Sequence, residues 1–145
     1  MQASCQLPAF PIDAQQDGEG ELAKRWGRLR EIRGQVAKEL ETLRTEGRIG
    51  SSLQAGVKVH AADKGDLELL ASLGDDLKYV FITSSAAALP AAGDGARIEA
   101  FPLSEKKCER CWHYRADVGS DARHPTICAR CVATLAGRDE VREHA

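Results

Sequence analysis

Four cysteines near the end of the chain have the spacing of a metal site: two residues separate Cys108 from Cys111, sixteen follow, and two separate Cys128 from Cys131. Each C-x2-C pair can place two thiolates on one metal ion, and two pairs close a tetrahedron around one Zn²⁺. Four sulfur ligands leave no open position for water or substrate, so the pattern predicts a structural zinc and not a catalytic one. A redox dithiol is the competing interpretation, but it needs only one pair and leaves the second unexplained.

The residues around these cysteines are locally basic. The chain as a whole has a formal charge of −2, whereas residues 106–131 carry six bases and three acids, a local charge of +3 with the cysteines counted as neutral. Any contact with nucleic acid must therefore come from this segment. The bases are Lys106, Lys107, Arg110, Arg115, Arg123 and Arg130.

Aromatic residues beside the ligands have two open interpretations. Trp112 directly follows a predicted ligand, where its ring either stacks on an unpaired base or packs over the zinc knuckle. His113 and His124 could each replace a cysteine, but four cysteines suffice, so we expect them to have polar surface or supporting roles. Cys5 lies outside the pattern and is expected to be an ordinary thiol in a flexible N-terminus.

A long amphipathic helix is predicted from Glu19 to about Glu46, with Gly47 as its stop. The apolar face packs either on the rest of this chain or on a partner outside it, and we favour the outside partner. Its residues, spaced three or four apart, are Leu22, Trp26, Leu29, Ile32, Val36, Leu40 and Leu43.

The middle of the chain predicts a small mixed sheet. Strands are expected over residues 57–61, over "LKYVFITSS" from Leu77 and over "ARIEAFPLS". A short helix is expected after Asp66 as its cap, ending at Gly74, and residues 86–96 are expected to form a flexible loop.

These elements define the expected fold class, which is α+β: a long N-terminal helix, a small mixed α/β sheet unit and a C-terminal four-cysteine module resembling a zinc ribbon. The expected division is a flexible tail at 1–20, the helix at 21–50, a small α/β junction at 51–104 and the zinc-binding module at 105–145.

The motifs "KKCERCWHYRADVG" and "HPTICARC" resemble the C-terminal zinc-binding region of bacterial isoleucyl-tRNA synthetases. The resemblance extends upstream through "LASLGDDLKYVFITS" and covers roughly residues 22–145. Within it, "LREIRGQVAKELETLRTEGRIGSSLQAGVKVHA" is similar to the last helix of the family's anticodon-binding bundle and the junction after that helix. DNA glycosylases of the formamidopyrimidine type share the cysteine spacing, but they begin with a catalytic Pro and Glu, where this chain reads Met1, Gln2, Ala3.

The resemblance implies an RNA-holding role without catalysis. The HIGH and KMSKS motifs of the family's amino-acid activation are absent from this sequence, so ATP is expected to bind only in a catalytic domain outside it. The expected partner is the anticodon arm of tRNA(Ile), and the remainder of the synthetase is expected to bind the apolar face of helix 22–43. The expected RNA contacts are Arg110, Trp112, Arg115, Arg123, Arg130 and Lys107.

Two other functions stay open: a structural zinc-braced protein-interaction module, and a freestanding zinc-ribbon protein that binds nucleic acid. We expect the chain to be cytoplasmic, because its sequence has neither the apolar run of a membrane helix nor the charged and apolar regions of a secretory signal. We also expect it to be monomeric.

Overall fold

The structure is a computed structural model and describes residues 19–93 and 95–138. The predictions for Cys5, for the tail before Glu19 and for residues 139–145 fall outside these ranges. Glu19 and Gly20 lie in both the predicted tail and the predicted helix, and the structure places them in the helix.

The predicted long helix is confirmed as α1, Glu19–Thr45. It ends where Gly47 takes a positive φ of 69°, a conformation that glycine adopts without steric cost. Its buried apolar residues recur at three- and four-residue steps, as the sequence predicts: Leu29, Ile32, Val36, Leu40 and Leu43.

The expectation that this apolar face awaits an outside partner is wrong for most of its length. Residues 29–43 of the face pack on the chain's own sheet and shorter helices, in one hydrophobic core. The sheet offers an apolar surface of the right length, so α1 buries its stripe without help from another chain. Only the start of the face stays open, where Leu22 is 54% and Trp26 47% exposed.

A three-stranded mixed sheet lies against α1. Its strands are β1, Ala55–Ala61; β2, Ser85–Pro90; and β3, Arg97–Pro102. The order is β2-β1-β3, with β1 parallel to β2 and antiparallel to β3. In the antiparallel register Gly56 lies opposite Phe101, and a Cβ at Gly56 would lie 2.6 Å from the Phe101 ring. Glycine is therefore required there by the aromatic ring beside it.

The strand predicted from Leu77 is wrong, because this segment forms α3, Leu77–Phe81. Leu77 and Phe81 are one helical turn apart and are both buried in the core, so burial outweighs the strand preference of the aromatic and β-branched residues. The prediction of a flexible loop over residues 86–96 is also wrong in its first half, where β2 pairs with β1.

Helix α2, Lys64–Ala71, begins three residues before the predicted start. Asp63, not Asp66, caps its N-terminus: the Asp63 carboxylate accepts a hydrogen bond from the backbone N–H of Asp66. Gly74 follows the helix with a φ of 53°, close to the predicted stop. Short 3-10 turns precede β1 at Ser52–Gln54 and α3 at Gly74–Asp76.

The last helix within the described ranges, α4, spans Ala129–Leu135. It belongs to a second, separate core that the cysteines form with Val118 and Ile127. The α+β fold class is thus confirmed: a long helix, a mixed sheet and a C-terminal cysteine cluster. The boundaries between domains stay a prediction. None of the helices in the described ranges combines the length and apolar character that a membrane span needs.

Candidate metal centre

The first cysteine pair lies on a tight hairpin turn. Lys107 and Tyr114 form an antiparallel bridge, and inside it the Cys108 N–H donates to the His113 carbonyl at 2.9 Å. Trp112 closes the turn: its N–H donates to the Cys108 carbonyl at 2.8 Å, and its φ is 66°. A left-handed tryptophan is sterically costly, and here it lets the chain reverse between the first pair of sulfurs and Tyr114, which forms the bridge.

The second pair lies at the start of α4. Cys128 is the N-cap residue and Cys131 lies in the first turn, so their side chains point from one end of the helix. The intervening loop brings the pairs together through backbone hydrogen bonds, of which one runs from the Glu109 N–H to the Thr126 carbonyl at 3.1 Å. Another runs from the Gly119 N–H to the Ile127 carbonyl at 3.1 Å.

The four sulfurs fit a tetrahedral metal site. All four lie within 4.8 Å of one another, and the Sγ atoms of Cys108 and Cys131, like those of Cys111 and Cys128, are 3.8 Å apart. Zinc–sulfur bonds of about 2.3 Å at tetrahedral angles require an edge of about 3.8 Å between sulfurs. Three of the cysteines are buried, and Cys111 is half-buried. The geometry and the donor set thus fit one structural Zn²⁺, which would hold both knuckles and exclude water from its coordination shell.

Backbone groups prepare one of these sulfurs for binding a cation. Burial opposes ionisation of Cys108, but hydrogen bonds from the backbone at Cys111 and Cys128 outweigh it and lower the pKa of Cys108 to about 6. The Cys128 N–H contributes at 3.3 Å from the Cys108 sulfur. Burial instead raises the pKa of Cys128 to about 12 and also raises the pKa of Cys111. A metal ion therefore has to displace protons from these thiols.

Three of the predicted RNA-contacting residues lie together on the surface of the first knuckle. Trp112 is 60% exposed, so it does not pack over the knuckle. The Lys107 ammonium lies 4.8 Å from the centre of its ring. Arg110 is exposed, and within the described part of the chain its guanidinium has no hydrogen bond or ion pair.

The three other predicted arginines bind groups of this chain. Arg115 forms two hydrogen bonds of 3.0 Å with the Asp117 carboxylate, and Arg123 binds Asp121 through Nε at 3.1 Å and Nη2 at 2.8 Å. Arg130 donates from Nη1 to the Tyr79 hydroxyl at 2.6 Å. Their charges still contribute to the local potential, but their guanidinium groups are partly used within the protein.

The histidines take supporting positions. Among the described residues the metal-binding cluster consists of cysteines and contains neither His113 nor His124. His113 donates from Nδ1 to the Cys111 carbonyl at 3.1 Å. Burial lowers the pKa of His113, and the positive charge of Arg130 lowers it further, so both favour the neutral ring.

Two residues that contact this module were not singled out by sequence reasoning. Tyr79 touches Arg130 and His113, and the Ser84 hydroxyl accepts a hydrogen bond from the Tyr114 N–H at 2.8 Å. Both fall in the segment that was predicted to be a strand, and a strand gives no reason to expect contact with residues 30 to 51 positions away.

The zinc module matches a known family. Residues 105–133 match the family described as the zinc finger found in FPG and IleRS. This assigns the cysteine cluster to a class of structural zinc fingers, in agreement with its geometry.

The chain is also similar to isoleucine–tRNA ligases over most of its length. It is 58% identical over 124 residues to the protein of Bordetella avium, 86% of this chain and 13% of that protein. It is 52% identical over 131 residues to the ligase of Thiobacillus denitrificans and 54% identical over 139 residues to that of Bordetella pertussis. These matches cover 90% and 96% of this chain and 14% of each ligase.

The chain is thus homologous to the C-terminal region of isoleucine–tRNA ligases, as its motifs predict. It spans about one seventh of the length of these relatives.

Proposed function

We propose that this chain is the RNA-holding end of an isoleucine–tRNA ligase and binds the anticodon arm of tRNA(Ile). The observation that carries the proposal is the exposed Trp112 on a zinc-braced turn, in a chain that is similar to these ligases over 86% of its length. Activation of isoleucine with ATP belongs, on this proposal, to the rest of a longer protein. The chain itself takes no part in the chemistry.

The exposed ring of Trp112 offers a surface on which an unpaired base can stack. A base that stacks on an aromatic ring gains about 1–3 kcal/mol, and the rigid turn holds the ring without an entropic cost at binding. Lys107, whose ammonium lies over one face of the ring, and Arg110 on the same turn add positive charge for phosphates. The remaining predicted contacts, Arg115, Arg123 and Arg130, are proposed to act chiefly through their charge.

Titration of the chain with an anticodon stem-loop of tRNA(Ile) tests this role. Trp112→Ala should weaken binding by roughly 5- to 150-fold, which corresponds to the loss of one stacked base. Arg110→Ala should weaken it and lower the slope of log affinity against log salt by about one. Trp26→Ala is the matched control, since Trp26 is also an exposed tryptophan but lies at the start of α1. Equal affinity of all four proteins, or no affinity in any, contradicts the proposal.

A second role is contact with the rest of the synthetase. The apolar surface available for it is smaller than the sequence predicts: Leu22 and Trp26 at the start of α1, with Ile82 48% exposed at the end of α3. Trp26 and Ile82 line one open groove, together with Tyr79 and Arg33. We propose that this groove, and not the buried face from Ile32 to Leu43, receives the remainder of the ligase.

Complementation in trans tests the second role. Trp26→Ser in this chain should reduce its association with the remaining part of an isoleucine–tRNA ligase by at least tenfold, while Trp112→Ser should not. Unchanged association of the Trp26 variant contradicts the proposal. We also propose a monomeric state and a cytoplasmic location, which sedimentation and cell fractionation test.

A further inference from the structure

The zinc-binding module contacts the sheet unit through a serine hydroxyl that forms one hydrogen bond with each of them. The Ser84 hydroxyl accepts from the Tyr114 N–H at 2.8 Å and donates to the Leu53 carbonyl at 2.5 Å. Tyr114 belongs to the hairpin of the first cysteine pair, and Leu53 lies just before β1. The half-buried hydroxyl thus connects two segments that are about 60 residues apart in the chain.

A tyrosine forms a second contact with the same module. The ring of Tyr79 meets the ring of His113 edge to face, with centroids 5.7 Å apart and planes at 74°. The guanidinium of Arg130 lies 5.6 Å from the centre of the Tyr79 ring and donates to its hydroxyl. His113 follows Trp112, and Arg130 precedes Cys131, so this tyrosine touches both knuckles.

A strained turn after α3 sets the direction in which Ser84 is presented. Ile82 has a φ of 57° and a ψ of 48°, a left-handed conformation that costs a β-branched residue about 1–2 kcal/mol. Its N–H donates to the Tyr79 carbonyl at 3.2 Å, and the next N–H, of the fully buried Thr83, donates to the Lys78 carbonyl at 2.9 Å. The Ser84 N–H then donates to the Ala55 carbonyl at 3.1 Å. The chain therefore leaves α3 in one fixed direction, with Ser84 against the module.

We propose that Ser84 and Tyr79 are positioning residues for RNA binding: they fix the zinc module on the sheet and thereby the direction in which Trp112 is presented. The zinc ion holds the module together internally, but among the described residues its four ligands all belong to the module and do not orient it on the sheet. The proposal rests on the proposed function. A fixed orientation favours binding of an RNA that contacts both the zinc module and the rest of the protein, because no free energy is then spent on ordering the module when the RNA binds.

A matched pair of substitutions at Ser84 isolates its hydroxyl. Threonine and valine have nearly the same shape, but only threonine keeps the oxygen, so Ser84→Thr should retain the orientation and Ser84→Val should lose it. Tyr79→Phe removes the hydroxyl that Arg130 binds and keeps the ring. In both Ser84→Val and Tyr79→Phe we expect one zinc per chain and an unchanged absorption spectrum of the cobalt-substituted site.

The deciding readouts are orientation and affinity. Residual dipolar couplings should show the module and sheet moving as one body in the wild type and in Ser84→Thr, and independently in Ser84→Val. The affinity for the anticodon stem-loop should fall roughly fivefold in Ser84→Val, the size expected for one lost hydrogen bond, and recover in Ser84→Thr.

Two outcomes overturn the inference: couplings that still fit one body in Ser84→Val, or equal RNA affinity of the threonine and valine variants where the wild type binds. If the wild type binds no RNA, the proposed function fails, and the couplings alone decide whether these residues orient the module. If Ser84→Val loses zinc, Tyr79→Phe gives the same two readouts with the knuckles intact.

Discussion

Arg28 and Asp66 form a two-pronged ion pair between α1 and α2: Nε lies 2.7 Å from one carboxylate oxygen and Nη2 lies 2.5 Å from the other. Arg28 also binds Glu31 on its own helix at 2.7 Å. Hydrogen bonds from Arg28 lower the pKa of Asp66 below its ordinary value of 3.8. The pair fixes the first half of the long helix on the sheet unit.

Asp66→Asn should destabilise the protein by about 0.5–1 kcal/mol at pH 6, the usual range for a partly exposed ion pair with good geometry. Because the pKa of Asp66 is lower in the folded state than in the unfolded one, its contribution is complete above pH 3.8 and disappears as the pH falls through the folded value. Urea unfolding, monitored through the helix signal at pH 6 and pH 2.5, measures this contribution of Asp66 to stability.

The difference between the variant and the wild type should be smaller at the lower pH, where protonation of Asp66 weakens the pair. Glu68→Gln is the control, since Glu68 pairs with Lys64 at 3.5 Å on the open surface and should change stability by less than about 0.5 kcal/mol. A difference for Asp66→Asn that is as large at pH 2.5 as at pH 6 contradicts this explanation.

Removal of zinc should unfold the C-terminal module and leave the rest folded. The cysteine core is separate from the core of α1 and the sheet, and a unit this small depends on its metal. Hydrogen exchange after chelation should show lost protection over residues 105–138 and retained protection in β1. Cys131→Ser should have the same effect, and Cys5→Ser, outside the metal pattern, should keep one zinc per chain. Simultaneous loss of protection in β1 counts against two separate units.

Gly119→Ala should destabilise the zinc module by more than about 2 kcal/mol. Gly119 has a φ of 82°, and an added Cβ would lie 2.8 Å from the Pro125 carbonyl oxygen, which belongs to the backbone and cannot turn aside. Gly137→Ala is the matched control: its φ is 70°, but nothing lies within 4 Å of the added carbon, so only the conformational cost of about 1 kcal/mol applies. Zinc affinity by chelator competition measures both, and equal losses refute the role of the Pro125 contact.

Gly34→Ala should stabilise the protein by roughly 0.5–1 kcal/mol. Gly34 lies inside α1, and a Cβ there meets no atom within 4 Å, so the substitution gains helix propensity at no steric cost. Gly56→Ala should have the opposite effect, because its Cβ meets the Phe101 ring at 2.6 Å. Thermal unfolding gives both signs, and a destabilising Gly34→Ala would show that this glycine has a contact outside the chain.

Features that depend on local spacing could be predicted from the sequence alone. The C-x2-C pairs predicted the four metal ligands, and the three- and four-residue steps from Leu29 to Leu43 predicted the buried face of α1. Such patterns can be read without a structure, because a metal ion sets the distance between its ligands and the helical repeat sets which residues share a face.

Contacts between distant residues set the other features. The chain's own sheet covers the apolar face of α1. The sequence could not show this, because an apolar stripe predicts that a helix face is buried but not what packs against it. The segment with strand propensity forms a helix because Leu77 and Phe81 are buried in the core. The left-handed Ile82 after this helix then places Ser84 in contact with the zinc module. These outcomes depend on residues far apart in the sequence, and only the folded chain brings them together.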